Sequence, residues 1–331
     1  MTGLLELRGK LRSFYGKYET YVAAGIRFLL AVLTFILINT KLGYRERLDN
    51  LAVPLLLAMV CTFLPANAIV LFGAVLILLH LSALSLEVCG VGLCLFLLMF
   101  FMYYKYAPKN AYSVTLTPIL CMFHVPQVMP VASGLLQTPA SGLAVLCGAV
   151  TYYYLHGVQT NVAVLSAANA EGAQELEKLR VILGILINNK EMYLVLAAFF
   201  VTTVVVYLIR RQSVNRAWRI ALIAGNLIQL LFFIAGSYWL GQPAMIVRAM
   251  IGTVISVLVC LILEFFLYNL DYSRIEHVQF EDDEYYYFVK AVPKVYVSGS
   301  SKSVKQITPR KNTINRKELA QELDIDQELL E

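Results

Sequence analysis

Charge is scarce in this chain. Only 15% of its residues are charged, against roughly 25% in a soluble globular domain. With 59% hydrophobic residues and a mean hydropathy of +0.67, this excludes an ordinary water-soluble fold and a polyelectrolyte tail. The net charge of +5 does not point to nucleic acid, because the basic residues cluster at the ends of apolar runs. Catalytic motifs are also missing. There is no G-x-x-x-x-G-K-[ST] loop for ATP, no H-E-x-x-H zinc helix and no G-x-S-x-G nucleophile turn. The six cysteines, Cys61, Cys89, Cys94, Cys121, Cys147 and Cys260, sit in apolar runs without metal-site spacing to histidine. They read as small buried hydrophobes. The expectation is therefore a protein that is not an enzyme and holds neither metal nor cofactor.

What is present is a series of long apolar runs. Hydrocarbon forces backbone groups to pair internally, so such runs fold as helices or as a closed barrel. These are continuous rather than alternating, which selects helices. The fold class is an all-α, polytopic helical membrane protein. Residues 1–18 mix Leu4, Leu7, Leu11 and Phe14 with Arg8, Lys10, Arg12 and Lys17, as in an interfacial amphipathic helix. Residues 19–271 form the membrane domain, and Tyr21–Asn39 reads as a retained first span rather than a signal peptide. Further runs cover Leu51–Leu64, short for a bilayer, then Ala66–Leu86, Val88–Tyr104 and Ser141–Tyr154. Residues 158–190 form a polar, amphipathic connector on the external side. Met192–Leu208, Ala221–Leu240 and Ala244–Leu270 follow, and residues 272–331 form a cytosolic tail.

The stretch Ser113–Pro139 stands apart. It carries Pro118, Pro126, Pro130 and Pro139, of ten prolines in the chain. It is too apolar for a water-exposed loop and too broken for an ordinary helix. Lysine and arginine in short loops favour the cytoplasm, so the connector with Arg210, Arg211, Arg216 and Arg219 goes inside. If Ser113–Pro139 crosses the membrane, Lys105, Lys109 and the basic N-terminus lie outside. If it enters and returns, they lie inside and only Lys41, Arg45 and Arg47 are misplaced. The second arrangement breaks the rule less, giving about eight crossings plus a re-entrant segment at 113–139. Non-helical backbone at that depth is tolerated when buried in protein or lining a water-filled cavity.

A permease-like protein for a small solute or ion is the first functional reading. His124, Asn226 and Glu264 are its candidate path residues, with Pro126 and Pro130 framing the turn. Asn226, Gln229 and Ser237 also suit interhelical hydrogen bonds. An echo of Leu51-Ala-Val-Pro54…Pro65 in Leu116-Thr-Pro118…Pro130 reads either as paired interrupted segments or as two unrelated kinks. The second reading is a membrane scaffold for envelope or division partners. Its candidate partner-binding residues are Glu281, Asp282, Asp283, Tyr285 and Tyr286, and Leu323 in a terminal helix at 315–331.

The run His277-Val-Gln-Phe-Glu-Asp-Asp-Glu-Tyr-Tyr-Tyr-Phe-Val-Lys-Ala-Val-Pro-Lys294 resembles tails of multi-pass membrane proteins from clostridial gut bacteria, a group with no assigned activity. The resemblance covers mainly this run. It implies a bacterial plasma membrane, and the charge reading puts the C-terminus in the cytoplasm.

Overall fold

A computed structural model describes residues 2–166, 173–267, 276–281 and 285–291. Asp282, Asp283, Leu323 and the terminal helix expected at 315–331 lie outside the described residues. The chain divides into a unit of residues 10–295 and a second of residues 1–9 with 296–331. Of the second, only the start of the first helix is described.

Helix α1 spans Thr2–Lys17 and leaves Leu7, Leu11 and Phe14 exposed. Helix α2 (Glu19–Leu42) is followed by α3 (Ala52–Phe63), α4 (Asn67–Leu84) and α5 (Leu86–Tyr106). Pro65 ends α3 by forcing Leu64 into extended backbone, ψ 163°. The freed Leu64 carbonyl accepts from Arg27 Nη1 at 2.7 Å. Arg27, an ionisable residue within α2, is therefore held by a chain break beside it.

Hydrogen bonds fix which helix ends meet. Tyr103, near the end of α5, donates to Asn67 Oδ1 at the start of α4, 2.8 Å away. Lys105 and Lys109 mark this as the basic end. At the other end, Asn39 Nδ2 donates to the Leu48 carbonyl at 2.6 Å, leaving Oδ1 to accept from His80 Nε2 at 2.9 Å. This pins the connector after α2 to α4. Asn39 and His80 are both buried, so Asn39→Leu strands a ring nitrogen and a carbonyl. It is expected to lower stability by roughly 1–3 kcal/mol. Chemical unfolding in detergent checks this, and an unchanged midpoint contradicts the pinning role.

Two short helices follow, α6 (Ala111–Met122) and α7 (Val128–Leu136). His124, with φ 59°, turns the chain between them. Ser113 Oγ donates to Gln137 Oε1 at 2.9 Å, joining the start of α6 to the residue after α7. The pair is thus a helical hairpin with both ends together. Pro118 lies inside α6 and cannot bond the Val114 carbonyl. That carbonyl faces Gly148 of α8 (Ser141–Thr160), where a Cβ would lie 2.7 Å away. Only glycine lets α8 lie so close to the carbonyl that Pro118 leaves free.

Helix α8 runs on to Thr160, beyond the span end expected at Tyr154. Gln159 Nε2 donates to the Lys41 carbonyl at 2.8 Å, so α8 ends beside the end of α2. After α9 (Val162–Leu165) comes α10 (Ala173–Ile187). Within the expected connector, Ile182 of α10 is fully buried against Tyr154, Val158 and Leu165.

The last three helices are α11 (Lys190–Arg210), α12 (Ala217–Leu240) and α13 (Ala244–Leu267). Lys190 sits over the Trp239 ring, 5.8 Å from its centroid, and Arg219 pairs with Glu264 at 2.8 Å. These contacts join α11 to α12 at one end and α12 to α13 at the other. Arg210 donates to the Leu135 and Gln137 carbonyls, a cation on the C-terminal end of α7. The hairpin's two ends are thus tied to the end of α11.

Among the described residues, six helical stretches are long and apolar enough to cross a membrane. Their outward faces carry large apolar residues, including Leu29, Leu98, Phe101, Leu231 and Val254. Water would penalise this surface and lipid accepts it. The chain is an all-α, multi-pass membrane protein. The tail adds one feature the sequence reading lacked, an antiparallel pair of strands, β1 (Glu276–Glu281) and β2 (Tyr286–Ala291).

Candidate functional site

The hairpin turn comes to rest against the middle of α13. Ser256 Oγ donates to the Gln127 carbonyl at 3.3 Å, and the Gln127 side-chain amide lies against Gly252. Ser256 is near the centre of a 24-residue helix, so the turn stops well short of the far end of the bundle.

Helix α7 then runs along α11. The Pro130 carbonyl accepts from Thr203 Oγ1 at 3.2 Å. Gly134 permits the closest approach, since a Cβ there would lie 2.8 Å from the Thr203 carbonyl and 2.8 Å from Val206 Cβ. Helix α12 closes on the same seam through Gly225, which faces Thr202, Val206 and Val131. Asn226 and Gln229 follow within the next turn of α12. The elements packed together here, α7, α11, α12 and α13, contribute Gln127, Thr202, Thr203, Asn226, Gln229 and Ser256 as buried polar residues.

Several of these groups have unused hydrogen-bonding capacity. Gln229 is fully buried, and neither atom of its amide has a partner among the described residues. The same holds for Gln127 Oε1, Thr202 Oγ1 and Asn226 Oδ1. A buried polar group left unpaired costs about 1–3 kcal/mol in water-soluble proteins, and hydrocarbon surroundings do not reduce that. The set is also uncharged. It offers amide and hydroxyl groups, which orient a polar ligand by hydrogen bonds rather than by charge.

The residues singled out from sequence fall in different places. Pro130 and Asn226 are buried on this seam, and Pro126 is half-buried at the turn. Asn226 Nδ2 donates to the Leu222 carbonyl of its own helix at 2.9 Å. Ser237 donates to the Gln242 carbonyl. Neither Asn226, Gln229 nor Ser237 makes the interhelical bond expected of it among the described residues. His124 is exposed at the turn rather than inside the seam. Glu264 lies towards the basic end, bound to Arg219. In the tail, Glu281, Tyr285 and Tyr286 are exposed on or beside the strand pair. Gln127 was not singled out from sequence, because a glutamine between Pro126 and Val128 reads as an ordinary turn residue. Among the described residues, no group of three His, Cys, Asp or Glu could hold a metal ion.

The fold and this seam define a multi-pass membrane protein with buried, uncharged polar residues on four helices that pack together. No known family pattern, curated protein sequence or solved structure matches the chain.

Proposed function

We propose that the protein is a permease-like membrane protein whose α6–α7 hairpin enters the bilayer, turns at His124–Gln127 and returns to the same face. The crossings are then α2, α3, α4, α5, α8, α11, α12 and α13. This reading is supported by the Ser113–Gln137 bond, which joins the hairpin's ends, and by the Gln127–Ser256 contact halfway along α13. It gathers Lys105, Lys109, Arg210, Arg211, Arg216 and Arg219 on one face, which the positive-inside rule makes cytoplasmic. The C-terminus is cytoplasmic with them. The membrane is a bacterial plasma membrane, as the tail resemblance implies.

The observation that carries the transport reading is the fully buried amide of Gln229, without a partner among the described residues, on a helix that packs against those carrying Gln127 and Thr202. Irregular backbone and polar groups at membrane depth mark solute paths in transporters. The solute is small, polar and uncharged, because these residues present no ionised group. Asn226, Pro126 and Pro130 stand on its path. In this reading His124 turns the chain and Glu264 latches α13 to α12. The test is uptake of radiolabelled neutral solutes into proteoliposomes. At least one solute is expected to enter, with uptake falling about tenfold or more in Gln127→Leu, the equivalent of losing one good hydrogen bond. Uptake unaltered by that change overturns the assignment of the path.

A second reading rests on the tail. A two-stranded hairpin by itself is marginal in water, and among the described residues this one has no third strand and leaves Phe280, Tyr286 and Phe288 exposed. Such an edge suits strand addition by a cytosolic partner. Comparing co-purifying proteins with and without residues 272–331 tests it, and an identical set from both counts against a scaffold role.

A further inference from the structure

A cavity of about 340 Å³ lies between α2, α4, α5, α6 and α8. Its size falls in the range of small-molecule sites, about 300–1,000 Å³. Its chemistry is the reverse of the polar seam. Ile38, Ile77, Leu93, Phe96 and Met122 form its walls. Three threonines also line it, but each uses its hydroxyl on its own helix. Thr34 donates to the Leu30 carbonyl, Thr115 to Ala111 and Thr151 to Cys147. Tyr103, also on the wall, donates to Asn67. The slot's interior therefore asks for an apolar occupant.

One end differs. Lys41, His156 and Gln159 meet there, where α2 and α8 finish together. The Gln159 bond to the Lys41 carbonyl holds that end in register. The His156 ring stacks on Tyr152, with centroids 5.7 Å apart and planes 2° apart. Lys41 is exposed, and among the described residues its ammonium has no carboxylate partner, although Glu46 and Asp49 follow in the connector. The slot's α4 wall, Ile69 to Leu78, covers roughly 14 Å at 1.5 Å per residue. With Tyr103 towards the basic end and Lys41 at the other, the slot runs lengthwise along the helices, the direction an acyl chain takes in a bilayer.

We infer that this slot binds one anionic membrane phospholipid, with one of its two acyl chains along the apolar wall, the other in the surrounding lipid, and its phosphate at Lys41 and His156. A cation and an imidazole with an amide beside them suit a phosphate by charge-assisted hydrogen bonds. A free phosphate would leave the slot unfilled, and a zwitterionic lipid would bring a second cation to Lys41.

Purified full-length protein, given equal amounts of phosphatidylglycerol and phosphatidylcholine and then passed through size exclusion, tests this by mass spectrometry of the retained lipid. The expected result is close to one equivalent of phosphatidylglycerol, with phosphatidylcholine lower by about tenfold or more. Lys41→Gln with His156→Gln removes the preference. Ala74→Phe and Leu93→Trp, two separate fillings of the slot, each remove the retained equivalent while the unfolding midpoint shows that the protein remains folded. Equal retention of the two lipids by the unaltered protein overturns the inference. So does a preference that survives the Lys41→Gln/His156→Gln change, or a full equivalent retained by a folded slot-filling variant.

Discussion

Gln229→Leu raises the stability of the purified protein and abolishes its uptake of polar solutes. The two effects have one cause. Gln229 is fully buried with both amide atoms unpaired among the described residues. An apolar side chain of similar volume removes that penalty, so the variant gains roughly 1–3 kcal/mol. The same change deletes a donor and an acceptor from the buried polar set. A residue kept for stability alone gives the opposite result, a loss of stability on substitution. Unfolding in detergent and proteoliposome uptake, measured on the same preparation, separate the two. A destabilised variant with unaltered uptake removes Gln229 from the path and makes it a structural residue.

Gly134→Val separates α7 from α11. A Cβ at Gly134 would meet the Thr203 carbonyl, which is backbone and cannot swing aside. Overpacking a tight contact costs about 1–3 kcal/mol or more, and here one helix must shift bodily. The shift also pulls the Leu135 and Gln137 carbonyls from Arg210 and the Pro130 carbonyl from Thr203. The variant is expected to aggregate on extraction or to unfold well below the unaltered protein. Gly25 and Gly90 meet nothing within 4 Å. Gly25→Ala and Gly90→Ala are expected to hold or raise stability, by up to about 1 kcal/mol from helix propensity alone. Equal behaviour of all three variants contradicts the close packing of α7 on α11.

The helices were legible because lipid-facing segments are apolar on most of their surface, so composition marks them without any periodicity. The break at 113–139 was legible through Pro118, Pro126 and Pro130, and the structure turns at His124, between two of them. What sequence could not supply was which faces meet. Gln229 and Asn226 looked like bonds between helices, yet their pairing depends on what α7 and α11 bring opposite them. Gln127 was passed over because its importance comes from Gly252 and Ser256, far along the chain. The partner of Glu264 was equally hidden, because only the antiparallel packing of α12 and α13 brings Arg219 to it. The strand pair in the tail had a signal, with Val278 and Phe280 alternating against Gln279 and Glu281. The acidic and aromatic residues beside it pointed to partner binding rather than to strand pairing.

The hairpin is the centre of the account, and the sidedness of single cysteines tests it most directly. In a background free of the six native cysteines, single cysteines at Lys109, Thr138 and Thr160 are labelled from either side of sealed vesicles with a membrane-impermeant maleimide. A hairpin that enters and returns puts residues 109 and 138 on one face and residue 160 on the other. Residue 138 labelled from the face opposite residue 109, with residue 160 on the same face as 109, means that the stretch crosses the membrane, and contradicts the account.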